Sequence, residues 1–298
     1  MKSREPKARD WTPRRHLIVG LGLCFVTLAA YSNSFGAGFV MDNRGLILQN
    51  NRVHAATAEN LDLILGHTYW WPYGESGLFR PLTTLSYLFN YALLGNGESP
   101  AGYHCLNLLL HMGNVLLVYA LGLRLSKWRR AAAVAGLWAV HPLLTESVTN
   151  IVGRADLLAG MAVLGGLMLY WKTTEAEGLG RWGYLAALSA VTALGVFSKE
   201  SAVMLLPMVC LYEAMYWRER RGRGLAAGIL AMLLPVQAML YQRAAVLWAS
   251  GPTVFPFYDN PIVGVGWLAG RLTALNVMGK YVALLAWPWR LSSDAGPR

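Results

Sequence analysis

The sequence predicts an all-α, polytopic helical membrane protein with about eight transmembrane helices. Of its 298 residues, 55% are hydrophobic and only 14% are charged, whereas a soluble domain carries about 25% charged residues. The mean hydropathy is +0.36, and the apolar residues form blocks of about 17 or more, long enough to cross a bilayer. These features exclude an ordinary soluble enzyme, a disulfide-stapled secreted domain and a disordered chain.

The N-terminal third predicts one span followed by a long outer loop. Residues 1–15 are polar and basic and form a cytoplasmic tail, and the apolar stretch 17–30 is interpreted as a retained span because no clean cleavage motif closes it. Residues 35–100 form the outer loop, in which Pro81 is suited to the first turn of a helix. Two pieces too short to span are predicted as interfacial or re-entrant helices, Leu61–Trp71 and Leu82–Leu94.

Seven further spans complete one membrane domain over residues 1–298, with no repeat domain. They are predicted near 104–123, 131–148, 155–171, 182–197, 201–217, 225–248 and 267–288. With both termini cytoplasmic, 18 of the 26 Lys and Arg residues fall on the cytoplasmic side. The net charge of +10 therefore indicates membrane orientation rather than nucleic-acid binding.

This topology collects polar motifs on one outer face, several of them in short loops at span ends. Ionisable groups at such depth are costly unless they are paired or used. The motifs are Gly38 to Asn43, Phe79-Arg80-Pro81, Tyr103-His104 with His111, His141-Pro142, Glu146, Gly153 to Asp156, Ser198-Lys199-Glu200 and, more weakly, Tyr258 to Pro261.

In order and spacing these motifs resemble the membrane part of the transmembrane and tetratricopeptide-repeat-containing O-mannosyltransferases and their bacterial relatives. Further matching stretches are Tyr31 to Phe35, Tyr103 to Asn107 and Leu291 to Asp294, so the similarity runs from Tyr31 to Asp294. This family belongs to the polyprenyl-phosphate-sugar-dependent GT-C glycosyltransferases. Its members usually carry two adjacent acids in the first outer loop, where this chain has Asp42 followed by Asn43. Members also continue into more membrane sequence and then repeats that hold the acceptor, whereas this sequence stops at Arg298, so we expect a truncated relative, of the bacterial kind.

The resemblance implies a GT-C-like fold with an active site on the periplasmic or lumenal face. The chain would reside in the bacterial inner membrane, or in the endoplasmic reticulum of a eukaryote. It would move a sugar, mannose by the family's name, from a polyprenyl-phosphate carrier to a Ser or Thr hydroxyl of a protein, with inversion. The implied partners are the lipid-linked sugar, the protein acceptor and membrane lipid, with no nucleic acid, no cofactor and no indicated divalent metal.

The chemistry assigns roles to specific residues. An attacking hydroxyl needs one base, for which Asp42 is the candidate. A phosphate leaving group needs positive charge where negative charge develops, and the candidates that bind the donor phosphate are Arg80, Arg154 and Lys199. The supporting residues are Asn43, His104, His141, Glu146, Asp156 and Glu200.

Structural alternatives stand beside these roles. Asp42 could be a solvated loop acid or a helix cap, Arg80 an interfacial snorkelling residue, and Lys199-Glu200 a surface pair. Glu146, Arg154 and Asp156 could form an ion-pair network that fixes the loop. His104 and His111 share a helix face, where hydrogen bonding is favoured over a metal site because zinc needs three or four convergent ligands.

Two other functions remain to be weighed. A non-catalytic or truncated module could bind polyprenyl phosphate or a protein partner without transfer, which Asn43 and the early end at Arg298 favour. A secondary transporter would show inverted repeats and polar groups at mid-membrane, and the sequence shows neither.

Overall fold

The computed structural model describes residues 12–74, 77–220, 224–250, 264–288 and 291, and within these ranges the chain is helical with no strand, as predicted. Short 3₁₀ and π turns connect the α-helices of the described ranges. The α-helices are α1 (Pro13–Tyr31), α2 (Ala58–Gly66), α3 (Pro81–Leu88), α4 (Pro100–Leu125), α5 (Trp128–Ala139), α6 (Thr145–Thr149), α7 (Arg154–Glu175), α8 (Gly178–Val196), α9 (Leu205–Arg220), α10 (Leu225–Ser250) and α11 (Trp267–Ala286).

Four helical stretches of the described chain are long and apolar enough to cross a membrane: Pro13–Gly36, Pro100–Leu125, Ile151–Glu175 and Leu225–Ser250. A fifth arises if α5 and the segment Pro142–Thr149 count as one bent span. The chain therefore has the character of a multi-pass membrane protein. The eight predicted spans are not all confirmed, because α8, α9 and α11 do not combine the same length and hydropathy.

The span predicted near 131–148 is not a single straight helix. Helix α5 ends at Ala139, and the chain bends by 49° before the segment Pro142–Thr149. Pro142 explains the break, because proline lacks an N–H and disfavours a helical conformation of the preceding residue. The His141 ring accepts a hydrogen bond from Leu143 N at 3.3 Å and so caps the 3₁₀ turn that begins after the bend.

The outer loop folds into a compact unit with its own core. Helices form in both predicted pieces, as α2 and as α3 continued by the π turn Phe89–Leu93, and Pro81 opens α3 as predicted. Apolar side chains of the loop pack against the start of α4 and the 3₁₀ turn Ile151–Gly153. The buried members of this core are Leu46, Ile47, Val53, Ile64, Tyr69, Tyr87, Leu88, Tyr103 and Ile151.

Helix α4 ties the surrounding segments together through one polar face. His104, Asn107, His111 and Asn114 recur every three or four residues, so they lie on one side of the helix, and each is buried. Each donates a side-chain N–H to a backbone carbonyl at 3.0–3.1 Å. The acceptors, in the same order, are Ala37, Asn150, Ala139 and Leu157.

The bundle has two chemically different ends. At the basic end, Arg124 at the C-terminus of α4 pairs with Glu175 of α7 at 2.9 Å. The opposite end, where the outer loop meets the first turn of α7, is the site end. The C-terminal end of helix α11 was predicted to lie at the cytoplasmic side. In the structure, Leu285 near that end accepts a hydrogen bond from His141 of the site end at 3.2 Å.

Candidate functional site

Asp42 lies on an exposed loop just before the π turn Arg44–Leu48. The preceding residue, Met41, adopts a φ of 45°, in the left-handed region that a side chain rarely occupies. Such strained positions persist only where the surroundings enforce them, and they cluster at functional sites. The backbone thus turns sharply at the residue that presents the candidate base.

Arg80 is held at the start of α3 by an ion pair that joins distant parts of the chain. Its Nε and Nη2 both contact Oε2 of Glu200 at 3.0 Å. The guanidinium also lies over the ring of Tyr69, 5.4 Å from its centroid. The Glu200 side chain is 30% exposed, and its other oxygen, Oε1, has no hydrogen-bond partner. Arg80 is therefore a positioned cation rather than a loose snorkelling residue.

A second ion pair lies one residue away along the chain. Lys199 Nζ contacts Oδ1 of Asp156, in the first turn of α7, at 2.5 Å. The Asp156 side chain is 44% exposed. Lys199 and Glu200 thus pair with Asp156 and Arg80, and the surface-pair alternative does not describe them.

Two buried tyrosine hydroxyls lie next to this charged group. Tyr69 and Tyr87 are buried, and their hydroxyl oxygens are 3.1 Å apart. Burial raises the pKa of Tyr69 well above its usual value, and the charge of Asp42 contributes in the same direction, so Asp42 lies within electrostatic reach of this hydroxyl. Burial also raises the pKa of Tyr87 to about 12, against an opposing effect of Arg154. Both hydroxyls stay protonated at physiological pH.

Arg154 is completely buried and surrounded by neutral acceptors. Its Nε donates to Asn107 Oδ1 at 2.8 Å, and its two terminal nitrogens donate to the carbonyls of Ser86 (2.9 Å) and Tyr103 (3.2 Å). The rings of Tyr87 and Tyr103 lie beside the guanidinium, with centroids 5.2 and 5.7 Å away. This geometry favours a positioning role for Arg154 over direct contact with a donor phosphate.

Glu146 does not join Arg154, so the predicted network of Glu146, Arg154 and Asp156 does not form. Its Oε1 instead accepts from the Asn150 amide at 2.7 Å, and Asp156 pairs with Lys199. The reason is geometric: α6 ends at Thr149, and a separate 3₁₀ turn precedes Arg154.

Asn43 is buried and holds the loop to the bundle. Its Oδ1 accepts a hydrogen bond from Val152 N at 3.0 Å, just before Arg154. Asn43 therefore serves as an acceptor for a backbone N–H group. Because Asn43 follows Asp42 directly, this hydrogen bond also fixes the backbone position of the candidate base.

The histidines hold backbone segments. The hydrogen-bonding interpretation of His104 and His111 is confirmed by their contacts with Ala37 and Ala139, and Ala37 lies on the segment that leads to Asp42. Among the described residues, no group of three or more His, Cys, Asp or Glu side chains could hold a metal ion.

Sequence reasoning missed two residues that shape the site. Tyr69 lies within the piece Leu61–Trp71 that was predicted as an interfacial or re-entrant helix, yet it contacts Arg80 and Tyr87. Arg52 is buried and donates to the carbonyls of Thr68, Tyr69 and Trp71 at 2.8–3.2 Å, so it fixes the segment that carries Tyr69. No local pattern marks these residues; only the tertiary fold does. Tyr258 to Pro261 and Asp294 lie outside the described residues.

A partly open apolar cavity of about 490 Å³ has lining residues that are close in sequence to the charged group. It lies between α3, α4, α7 and α8. At the site end it is lined by Leu82, two residues after Arg80, and by Ser198, which precedes Lys199. Farther from the site end its lining includes Leu117, Leu158, Met161, Ala162, Gly165, Val191 and Leu194.

The arrangement thus combines an exposed carboxylate, two ion-paired cations and an apolar cavity. A ligand phosphate could replace the carboxylates at Arg80 and Lys199, because both cations are partly exposed. A long hydrocarbon attached to that phosphate could occupy the cavity.

Comparison with known proteins confirms the resemblance to the O-mannosyltransferases. The chain is 34% identical to the Drosophila melanogaster protein O-mannosyl-transferase Tmtc2 over 92% of its own length and 30% of that protein's. It is 30% identical to Drosophila Tmtc1 over 99% of the chain and 36% of that protein. It is 28% identical to human TMTC4 over 90% of the chain and 42% of that protein.

The chain spans about a third of the length of the first of these curated relatives. No family model matches it. No solved structure matches it either.

Proposed function

We propose that this chain, homologous over nearly all its length to part of the Tmtc protein O-mannosyl-transferases, is a membrane glycosyltransferase that takes a sugar from a polyprenyl-phosphate carrier. The acceptor is a Ser or Thr hydroxyl of a protein, and the transfer inverts the anomeric centre. The observation that carries the proposal is that the lining of the apolar cavity includes Leu82 and Ser198, close in sequence to the cations Arg80 and Lys199.

The donor binds with its phosphate at the site end. The phosphate oxygens replace the carboxylate of Glu200 at Arg80 and that of Asp156 at Lys199. Charge-assisted hydrogen bonds to phosphate are about twice as strong as neutral ones, and the guanidinium of Arg80 can bind two oxygens at once. The prenyl chain lies in the cavity, shielded from water.

Transfer needs one base and no general acid. Asp42 accepts the proton of the acceptor hydroxyl while its oxygen attacks the anomeric carbon from the face opposite the phosphate. The bond between the anomeric carbon and the phosphate oxygen breaks, and the electron pair stays on the phosphate. Arg80 and Lys199 stabilise the charge that develops there.

The buried neighbours position these groups. Arg52 fixes the Tyr69 segment, Asn43 ties the Asp42 loop to Val152, and Arg154 joins α3, α4 and α7. The reacting geometry is therefore preorganised before substrate binds, which lowers the entropic cost of transfer.

The test is transfer of labelled mannose from a polyprenyl-phosphate donor to a Ser/Thr-rich peptide by the purified chain. Asp42→Asn should reduce transfer by about a hundredfold or more, since general-base catalysis contributes 10²–10⁴-fold. Asp62→Asn is the matched control, because Asp62 is an exposed acid on α2 of the same loop. Equal transfer by the Asp42 and Asp62 variants would remove Asp42 from the mechanism.

The second candidate function is a module that binds the lipid carrier without transfer. It is favoured by Asn43, whose side chain is buried against Val152 and cannot serve as a second acid. Under this alternative the donor binds, Arg80→Gln weakens that binding, and no labelled product forms with any acceptor.

A further inference from the structure

A second cavity lies at the basic end, far from the site end. It has a volume of about 380 Å³ and is formed where α1 and α5 begin. Its lining changes character along α1, from Arg14 and Arg15 to the apolar Ile18 and Val19, with Trp128 of α5 opposite. A cavity with a cationic mouth and an apolar floor fits an amphipathic anion.

The exposed cations near this cavity differ from three partly exposed cations described above. Arg80, Lys199 and Arg124 each pair with a carboxylate. Within the described ranges, no carboxylate pairs with the four exposed cations of this region. These cations are Arg14, Lys127, Arg129 and Arg130. The first turns of α1 and α5 also contain no acid, so nothing among these residues offsets the positive charge.

An aromatic ring divides the charged part of the cavity from the apolar part. The guanidinium groups of Arg15 and Arg129 each lie 5.4 Å from the Trp128 ring centroid. Such a contact orients the guanidinium of Arg129 while leaving its N–H groups for an anion. Ile18 is 60% exposed, one turn farther along α1. Tryptophan and arginine at the end of an apolar helix are typical of the headgroup level of a membrane.

We infer that this cavity binds an anionic phospholipid of the surrounding membrane, with its phosphate between Arg14, which lines the cavity, and Arg129, which lies beside the lining residue Trp128, and an acyl chain along Ile18 and Val19. Basic pockets between transmembrane helices bind anionic headgroups by this combination of charge and apolar contact. The lipid phosphate supplies a counter-ion for Arg14 and Arg129, which pair with no carboxylate among the described residues. The inference is independent of sugar transfer, because no residue of the site end takes part.

The test compares lipid retention by the purified full chain in a neutral detergent, measured by native mass spectrometry. Phosphatidylglycerol and phosphatidylcholine with the same acyl chains are the probes. Phosphatidylglycerol should be retained at least tenfold more strongly than phosphatidylcholine. The double variant Arg14→Gln/Arg129→Gln should lose most of this preference, because each cation near an anionic surface contributes roughly fivefold in affinity.

Lys172→Gln is the matched control, since Lys172 lies at the same end but pairs with Glu175 at 3.6 Å. Its preference for phosphatidylglycerol should equal that of the unchanged chain. Equal melting temperatures of the lipid-free variants show that both fold normally. Retention of phosphatidylglycerol by the double variant at the level of the control would overturn the inference, as would equal retention of both lipids by the unchanged chain.

A competition arm separates a lipid from a soluble phosphate. Inorganic phosphate and glycerol 3-phosphate carry the charge without the acyl chains, so neither should displace bound phosphatidylglycerol at equal concentration. Displacement by either compound would assign the cavity to a soluble phosphate ester and overturn the lipid assignment.

Discussion

Thr83 donates its hydroxyl to the carbonyl oxygen of Ser198 at 2.7 Å, and both residues are buried. A backbone bond from Leu82 N to Phe197 O at 3.2 Å runs beside it. Together these bonds fasten the start of α3 to the turn after α8. They place Arg80 and Lys199, which are 119 positions apart in the sequence, at one site.

Removing that hydroxyl should loosen the site. Thr83→Val keeps the side-chain shape but deletes the donor, which should cost about 1–2 kcal/mol of stability and reduce sugar transfer severalfold. Melting temperature and transfer rate are the measurements. Thr149→Val is the control, because Thr149 bonds only within its own helix, to Thr145 O. A Thr83 variant as active and stable as the Thr149 variant would contradict the prediction.

Glu200 competes with the donor phosphate for Arg80, so neutralising it should favour donor binding. Glu200→Gln is expected to lower the donor KM severalfold, with kcat changed less than KM. Steady-state kinetics with varied donor concentration measure this. Glu175→Gln, which removes an ion-pair carboxylate at the basic end, is the control. A fall in kcat at unchanged KM would instead assign Glu200 a role in the transition state.

Arg154 should matter for folding more than for donor binding. Lysine cannot reach three acceptors in different directions, so Arg154→Lys should lower stability by about 2–4 kcal/mol. The partly exposed Arg80→Lys should change stability by less than about 1 kcal/mol but weaken donor binding. Melting temperature and donor affinity of the two variants separate these effects. A stable Arg154 variant with a raised donor KM would restore the predicted phosphate contact.

Gly153 leaves no room for a side chain before Arg154. An added Cβ would lie 2.6 Å from the carbonyl oxygens of Glu146 and Ser147, which are backbone atoms. Gly153→Ala should therefore cost about 2 kcal/mol or more, measured as a lower melting temperature. Gly183→Ala in the interior of α8 has open space and should stabilise the protein by about 0.5–1 kcal/mol.

The sequence predicted the helical class because hydropathy and charge spacing are local properties of the chain. It placed Asp42, Arg80 and Lys199 at one end because loops on the same side of a membrane share a face. Pairing was not predictable in this way: Arg80 to Glu200 and Lys199 to Asp156 depend on how α3, α7 and α8 dock. Helix docking also could not be predicted around Arg154. The sequence therefore predicted Arg154 as a phosphate ligand, although the fold surrounds it with carbonyl groups.

The break after α5 shows a second limit. Hydropathy continues across residues 131–148, yet Pro142 and the capping ring of His141 interrupt the helix. Hydropathy averaged over a window does not detect a bend, whereas a proline in the sequence indicates one. A prediction that gave Pro142 more weight would have found it.

The polar face of α4 has a practical consequence for expressing parts of this protein. Four carbonyl groups on four separate segments depend on side chains from residues 104–114. A recombinant fragment that omits this helix would remove one hydrogen bond from each of those carbonyls, and each such bond contributes about 0.5–1.5 kcal/mol. Shortened forms meant for crystallisation should therefore retain Pro100–Leu125 intact, and chimaeras should exchange α4 together with the segments it holds.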